Sequence, residues 1–192
     1  MKRLKVFIMC SLALLTACTS LGQLDANAPA PSDSESVFVL GVSPDNYRVS
    51  IFPGSVSDGS FSSSLIRTAV VYGAAKQGFV VGKASAGDVL AITNVRVVSD
   101  SSSILGANFK PCGGAKTMVF EVPKGKVVYL GSVEYKFEGK QLLVQYRNDI
   151  EGARRHIDQN FPSLKGKLET VDFKLLPKSG SCDSTIYVPI YR

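Results

Sequence analysis

Three observations predict a mainly β protein: short apolar runs bounded by Gly, Ser, Pro and Asp, period-two alternation inside several of those runs, and a single segment with helical spacing. Side chains on a strand alternate faces, so alternation marks a sheet with one side buried. About ten such runs with no interleaved helices predict an antiparallel β-sandwich or flattened barrel with one amphipathic helix near residues 149–161. The same pattern argues against an α/β fold.

In chain order, the first element is a leader. Lys2, Arg3 and Lys5 precede the apolar run Val6 to Leu15. That run is too short to span a bilayer, which needs about 20 apolar residues, and the order charged, apolar, small is that of a secretory signal. It ends in Leu15-Thr16-Ala17-Cys18, and Cys10 leaves with it. Residues 18–36 mix Ser, Asn, Asp, Ala and Pro without a hydrophobic period, which predicts a solvated tether. Residues 37–192 then form one domain.

Runs at Val37 to Leu40, Tyr47 to Phe52, Thr68 to Tyr72, Phe79 to Lys83 and Val89 to Val98 supply the first strands. Met118, Phe120 and Val122 alternate with Thr117 and Glu121. Lys126 to Lys136 follows, and Gly139 separates it from the alternating Leu142, Val144 and Tyr146, the spacing of a hairpin. Val171 to Leu176 and the triplet Ile186, Val188 and Ile190 close the domain. Tyr187 and Tyr191 fall opposite that triplet, so they face outward if the isoleucines face the core, and mark a candidate binding surface.

The helix is argued from both ends. Asn148 or Asp149 caps it, Glu151 suits its first turn, and Pro162 stops it. Ile150, Ala153, Ile157 and Phe161 share one face, while His156 lies off that stripe and is expected to be solvated. Its replacement by Ala is accordingly expected to be nearly neutral.

Removing residues 1–17 leaves 175 residues and a formal net charge of +3. No Lys/Arg block with stacking aromatics is present, which argues against nucleic acid. Arg154, Arg155, Lys165 and Lys167 could meet anionic glycan or lipid headgroups, with solvated surface charge as the plainer reading. Cys10 lies inside the leader and Cys18 at its end; the other two cysteines, Cys112 and Cys182, form an even pair in the oxidising compartment that a secretory signal implies, the mark of one disulfide. Two free thiols or half a metal site are the alternatives, but zinc needs further ligands and His156 is the only histidine. No metal or other cofactor is expected.

Catalytic signatures are missing. There is no Gly-x-Ser-x-Gly elbow, no phosphate loop and no His-Glu-x-x-His, and Gly73 to Gly78 is followed by Phe79 and Val80 rather than Lys and a hydroxyl. The serine clusters 60–64 and 99–103 read as strand connections. A non-catalytic binding or structural role is the expectation. The rivals are an envelope-polymer hydrolase using Glu134, Glu169 or Asp172, and an accessory subunit of an envelope assembly.

Leu15-Thr16-Ala17-Cys18 resembles the lipobox of bacterial lipoproteins. That resemblance implies a thioether-linked diacylglyceryl group on Cys18, cleavage before it and acylation of the new amino terminus. Thr19 stands where many inner-membrane lipoproteins carry aspartate, so the resemblance points to the periplasmic face of the outer membrane, with a membrane partner through the lipid and a possible envelope protein or peptidoglycan partner. Val122-Pro123-Lys124-Gly125-Lys126-Val127-Val128-Tyr129-Leu130-Gly131, then Asp149 to Ala153 and Phe161-Pro162, resemble small bacterial lipoproteins with a β-rich domain of unknown function. The match implies scaffold, with Gly125 at a turn and Gly131 at a close approach. No catalytic residue is carried over.

Acylation needs the thiol, so Cys18→Ser should yield an unlipidated, uncleaved precursor. Intact mass and detergent partitioning check this, and an unchanged mass and membrane fraction in the variant rules out the anchor.

Overall fold

The computed structural model describes residues 21–100, 103, 105–180 and 182. The protein is mainly β, with two sheets, one of them curled into a half-barrel, and one helix. The leader, Cys18, Tyr187, Tyr191 and the triplet Ile186, Val188 and Ile190 lie outside the described residues.

Twelve strands are described: β1 (Glu35–Ser43), β2 (Arg48–Ser57), β3 (Ser60–Ser63), β4 (Val71–Ala74), β5 (Phe79–Ser85), β6 (Val89–Val97), β7 (Ala107–Phe109), β8 (Lys116–Glu121), β9 (Val127–Glu138), β10 (Gln141–Arg147), β11 (Leu168–Thr170) and β12 (Lys174–Pro177). The helix α1 (Ile150–Asn160) follows β10. Sheet one runs β10-β9-β1-β5, with β11 on β9; sheet two runs β12-β8-β6-β2-β3, with β4 on β2 and β7 on β6.

Alternation assigns faces as expected. Phe38, Leu40 and Val42 of β1, Met118 and Phe120 of β8, and Leu142 and Val144 of β10 meet Val49, Ile51, Leu90 and Ile92 in the core between the sheets. Val37 and Val39 point the other way, into a second core beneath Ala153, Ile157, Phe161 and Leu164. Asp149 caps α1 by accepting a bond from the Gly152 N–H at 3.0 Å. Gly139, with φ +62°, turns the β9–β10 hairpin.

Three expectations change. First, the strands are not all antiparallel, because β1 and β11 both pair with β9 in parallel. Pairing direction leaves no trace in alternation, so the strand pattern is silent on it. Strands β11 and β10 lie end to end along one side of β9, which they meet at Val127–Tyr129 and at Ser132–Glu138. Leu130 bulges between them, and Gly131 takes φ +113°, a backbone conformation natural to glycine.

Second, residues 21–36 are not a free tether. Leu21 exchanges backbone bonds with Tyr72 at 2.7 and 2.9 Å, Leu24 donates to Val81 at 2.9 Å, and Leu24 packs on the helix-side core. Polar composition hid this, since edge pairing uses backbone groups that every residue carries.

Third, His156 is buried, at 7% exposure. Its ring lies 4.9 Å from that of Phe79 and 5.9 Å from that of Phe161. Ile150 sits at the edge of the buried stripe, and at 100° per residue His156 is only about 60° from Ala153 at its centre. Burial holds its pKa below the ordinary 6.5. The neutral ring also accepts from the Asn160 amide at 3.4 Å, a contact that protonation of Nδ1 removes.

Cys112 and Cys182 meet at disulfide distance, with Cα atoms 5.1 Å apart and a sequence separation of 70. The pair fastens the segment after β12 to the β7–β8 connection. A bridge over that span stabilises the fold by roughly 4 kcal/mol on the chain-entropy estimate.

Two outcomes follow from these contacts. Thiol labelling of envelope-derived protein should leave Cys112 and Cys182 unreactive until a reductant is added; free labelling of both contradicts the bridge. His156→Ala should destabilise the protein by about 1–3 kcal/mol, as for a buried ring truncated between two others, measurable by denaturant unfolding. The unfolded chain binds this proton more readily than the folded one, so His156's contribution is complete above pH 6.5 and declines as pH falls below it; the variant should lose that part of the pH dependence.

Candidate functional site

The two sheets differ on their outer faces. Sheet one is roofed by α1, whereas sheet two presents a polar cleft of about 460 Å³. A bulge in β6 builds its floor. Ser50 of β2 pairs with Asn94 and Ile51 with Ile92, which leaves Thr93 as an extra residue. Ile92 and Val95 both enter the core, so Thr93 and Asn94 are together available to the outer face. Phe52 adds a half-buried apolar patch, and Ser63 and Ser64 close one end.

Three cations line the cleft: Arg96, Lys110 and Lys178. Among the described residues no carboxylate joins them. Arg96 Nε donates to Asn108 Oδ1 at 2.8 Å, and its guanidinium stands 5.8 Å from the Tyr72 ring centre. Arg48, fully buried, approaches the same ring at 5.9 Å and donates to the Ser103 carbonyl at 3.0 Å. These contacts pre-form the site, since a desolvated guanidinium gains from a ring and from fixed acceptors.

Lys178 is held differently. Burial first, and then the charge of Lys110, lower its pKa. The Cys112–Cys182 pair lies two residues beyond Lys110 and four beyond Lys178, and the Lys178 N–H also donates to the Ala115 carbonyl at 3.3 Å, so the two segments are tied side by side. The Asn94 Oδ1 atom is buried and, among the described residues, has no hydrogen-bond partner. Cations, amides, hydroxyls and one apolar face together fit an anionic, hydroxyl-rich ligand.

The sequence-derived candidates fare unevenly. Arg154 and Arg155 are exposed on α1, which covers sheet one, and Arg154 is paired with Glu151 at 2.6 Å, so neither joins the cleft. Glu134 pairs with Arg147, and Glu169 with Lys126. Glu169 lies beside Val128, six residues along β9 from Glu134. At ~3.3 Å per residue that is about 20 Å, too far for two carboxylates to flank one glycosidic bond. Asp172 is exposed. Among the described residues no group of three His, Cys, Asp or Glu side chains could hold a metal ion, and no helix is long and apolar enough to cross a membrane.

Sequence reasoning missed Arg48, Tyr72, Asn94, Arg96, Asn108, Lys110 and Lys178. One signal was visible: Thr93-Asn94 and Arg96 interrupt an otherwise apolar run. No protein-family profile, curated protein or solved structure matches this chain.

Proposed function

We propose that this chain is a lipid-anchored cell-envelope protein, held through Cys18 at the periplasmic face of the outer membrane, and that it binds an anionic glycan component of the envelope without catalysis. The observation that carries the binding role is the sheet-two cleft, where Arg96, Lys110 and Lys178 converge on uncharged amides and hydroxyls with no carboxylate among the described lining residues. The lipobox and the resemblance to small β-rich lipoproteins support the location. Glycan acids bring negative charge together with hydroxyl groups, the two features this lining is equipped to meet. The distance between Glu134 and Glu169 weighs against a hydrolase built on that pair. An accessory role in an envelope assembly is compatible with the same cleft, the glycan then being the feature that the assembly grips.

Titration with soluble peptidoglycan fragments tests this reading. Arg96→Ala and Lys178→Ala should each weaken binding at least tenfold, about 1.4 kcal/mol, and raised salt should weaken the wild type further. Absence of saturable binding by the folded wild-type protein overturns the glycan assignment.

A further inference from the structure

Leu21 is pinned to the edge of sheet two by its two backbone bonds with Tyr72. Gly22 lies so close to that edge that a Cβ would stand 1.8 Å from the Val70 carbonyl oxygen. Only Thr19 and Ser20 separate Leu21 from Cys18, so the anchoring residue is within about 11 Å of a fixed point on the domain. An anchor that short keeps this edge beside the bilayer.

The same edge carries two adjacent aliphatic side chains with nothing over them. Leu65 and Ile66, in the β3–β4 connection, are 100% and 94% exposed. Shallow depressions join them to the anchored end: one is lined by Gly22, Leu24, Val70 and Lys83, the other by Ile66, Val70 and Lys83. The connection is closed at its base, where Ser64 donates to Pro53 and Val70 to Ile51, each at 2.8 Å. Ser64 Oγ accepts the N–H groups of Ile66 and Arg67 at 3.4 and 3.3 Å. Arg67 grips both oxygens of Asp88 at 2.7 and 2.6 Å. Leu65 and Ile66 are therefore held out on a braced loop rather than folded back on the sheet.

We propose that this edge rests on the lipid bilayer, with Leu65 and Ile66 inserted at the boundary between headgroups and acyl chains. The contact rests on the lipid-anchor reading for its geometry, because it is the short span from Leu21 to Cys18 that selects a lipid surface as the occupant. It gives the domain a fixed orientation. Aliphatic side chains at a membrane boundary supplement an acyl anchor in the way that a second binding signal does.

The chain has no tryptophan, so Ile66→Trp and Leu65→Trp each create a single reporter, and Phe137→Trp serves as control. Phe137 packs on Phe109 of β7, across sheet two from β4. Mature protein is purified from the envelope, its acylation read by intact mass, and reconstituted in phosphatidylethanolamine–phosphatidylglycerol vesicles with brominated acyl chains. The Ile66→Trp and Leu65→Trp emissions should shift to the blue and fall at least twofold, with Phe137→Trp unchanged. An acylated protein whose loop reporters stay accessible to iodide and untouched by brominated lipid overturns the contact while the anchor stands. Reporters shielded from iodide but unquenched by lipid indicate a protein partner and also overturn it. If the mass shows no acyl chains, the anchor fails; quenching on mixing the protein with the vesicles still supports the contact, and its absence overturns it.

Discussion

Strand β1 is buried on both faces, and the rest of the molecule is arranged around that burial. Phe38, Leu40 and Val42 fill the space between the sheets, while Val37 and Val39 fill the space beneath the helix. A strand with no solvated face needs a neighbour on each edge and a layer on each side. Strands β5 and β9 supply the edges, sheet two supplies one layer and α1 the other. Even the polar Ser36 is matched inside this frame, donating to the Pro123 carbonyl at 2.7 Å and accepting from the Lys126 N–H at 2.9 Å. Gly41 leaves room on the same strand for Ser132, whose hydroxyl bonds Tyr129; that phenol in turn accepts the Asp149 N–H at the start of α1.

Sheet two has no helix over it; Phe61, Ala91 and Val119 form a small buried cluster on its outer side, and polar residues occupy the neighbouring part of that face. A buried Arg48 is tolerated there because a carbonyl and an aromatic ring stand within reach, where an apolar layer would leave a charge uncompensated. The cation-lined cleft and the exposed Leu65–Ile66 loop both belong to sheet two, and Ser63 and Ser64 connect them. Ligand cleft and membrane edge are therefore neighbours on one sheet. The Cys112–Cys182 pair ties together the segments that carry Lys110 and Lys178.

Elements governed by side-chain period were legible in the sequence. The triplet Met118, Phe120 and Val122, the hairpin turn at Gly139 and the stripe Ala153, Ile157 and Phe161 each report a local geometry that a few neighbouring residues dictate. His156 is enclosed although it lies about 120° from Ile150 at the rim of the stripe, because the width of a buried face is set by what packs on it, here Phe79 from a distant strand. The cleft was illegible for a similar reason, since Tyr72, Asn94, Asn108 and Lys178 come from four separate strand regions with no shared spacing.

The β character and the capped helix with its stop are written in the chain's own pattern, because alternation and capping act over a few neighbouring residues. Tertiary packing settles the rest: β1 and β9 run parallel, residues 21–24 dock on a sheet edge, Cys112 meets Cys182, His156 is enclosed and three cations face one cleft. Those outcomes depend on backbone hydrogen bonds and on contacts between residues far apart in the chain. Backbone groups are the same at every residue, and long-range contacts leave no periodic mark.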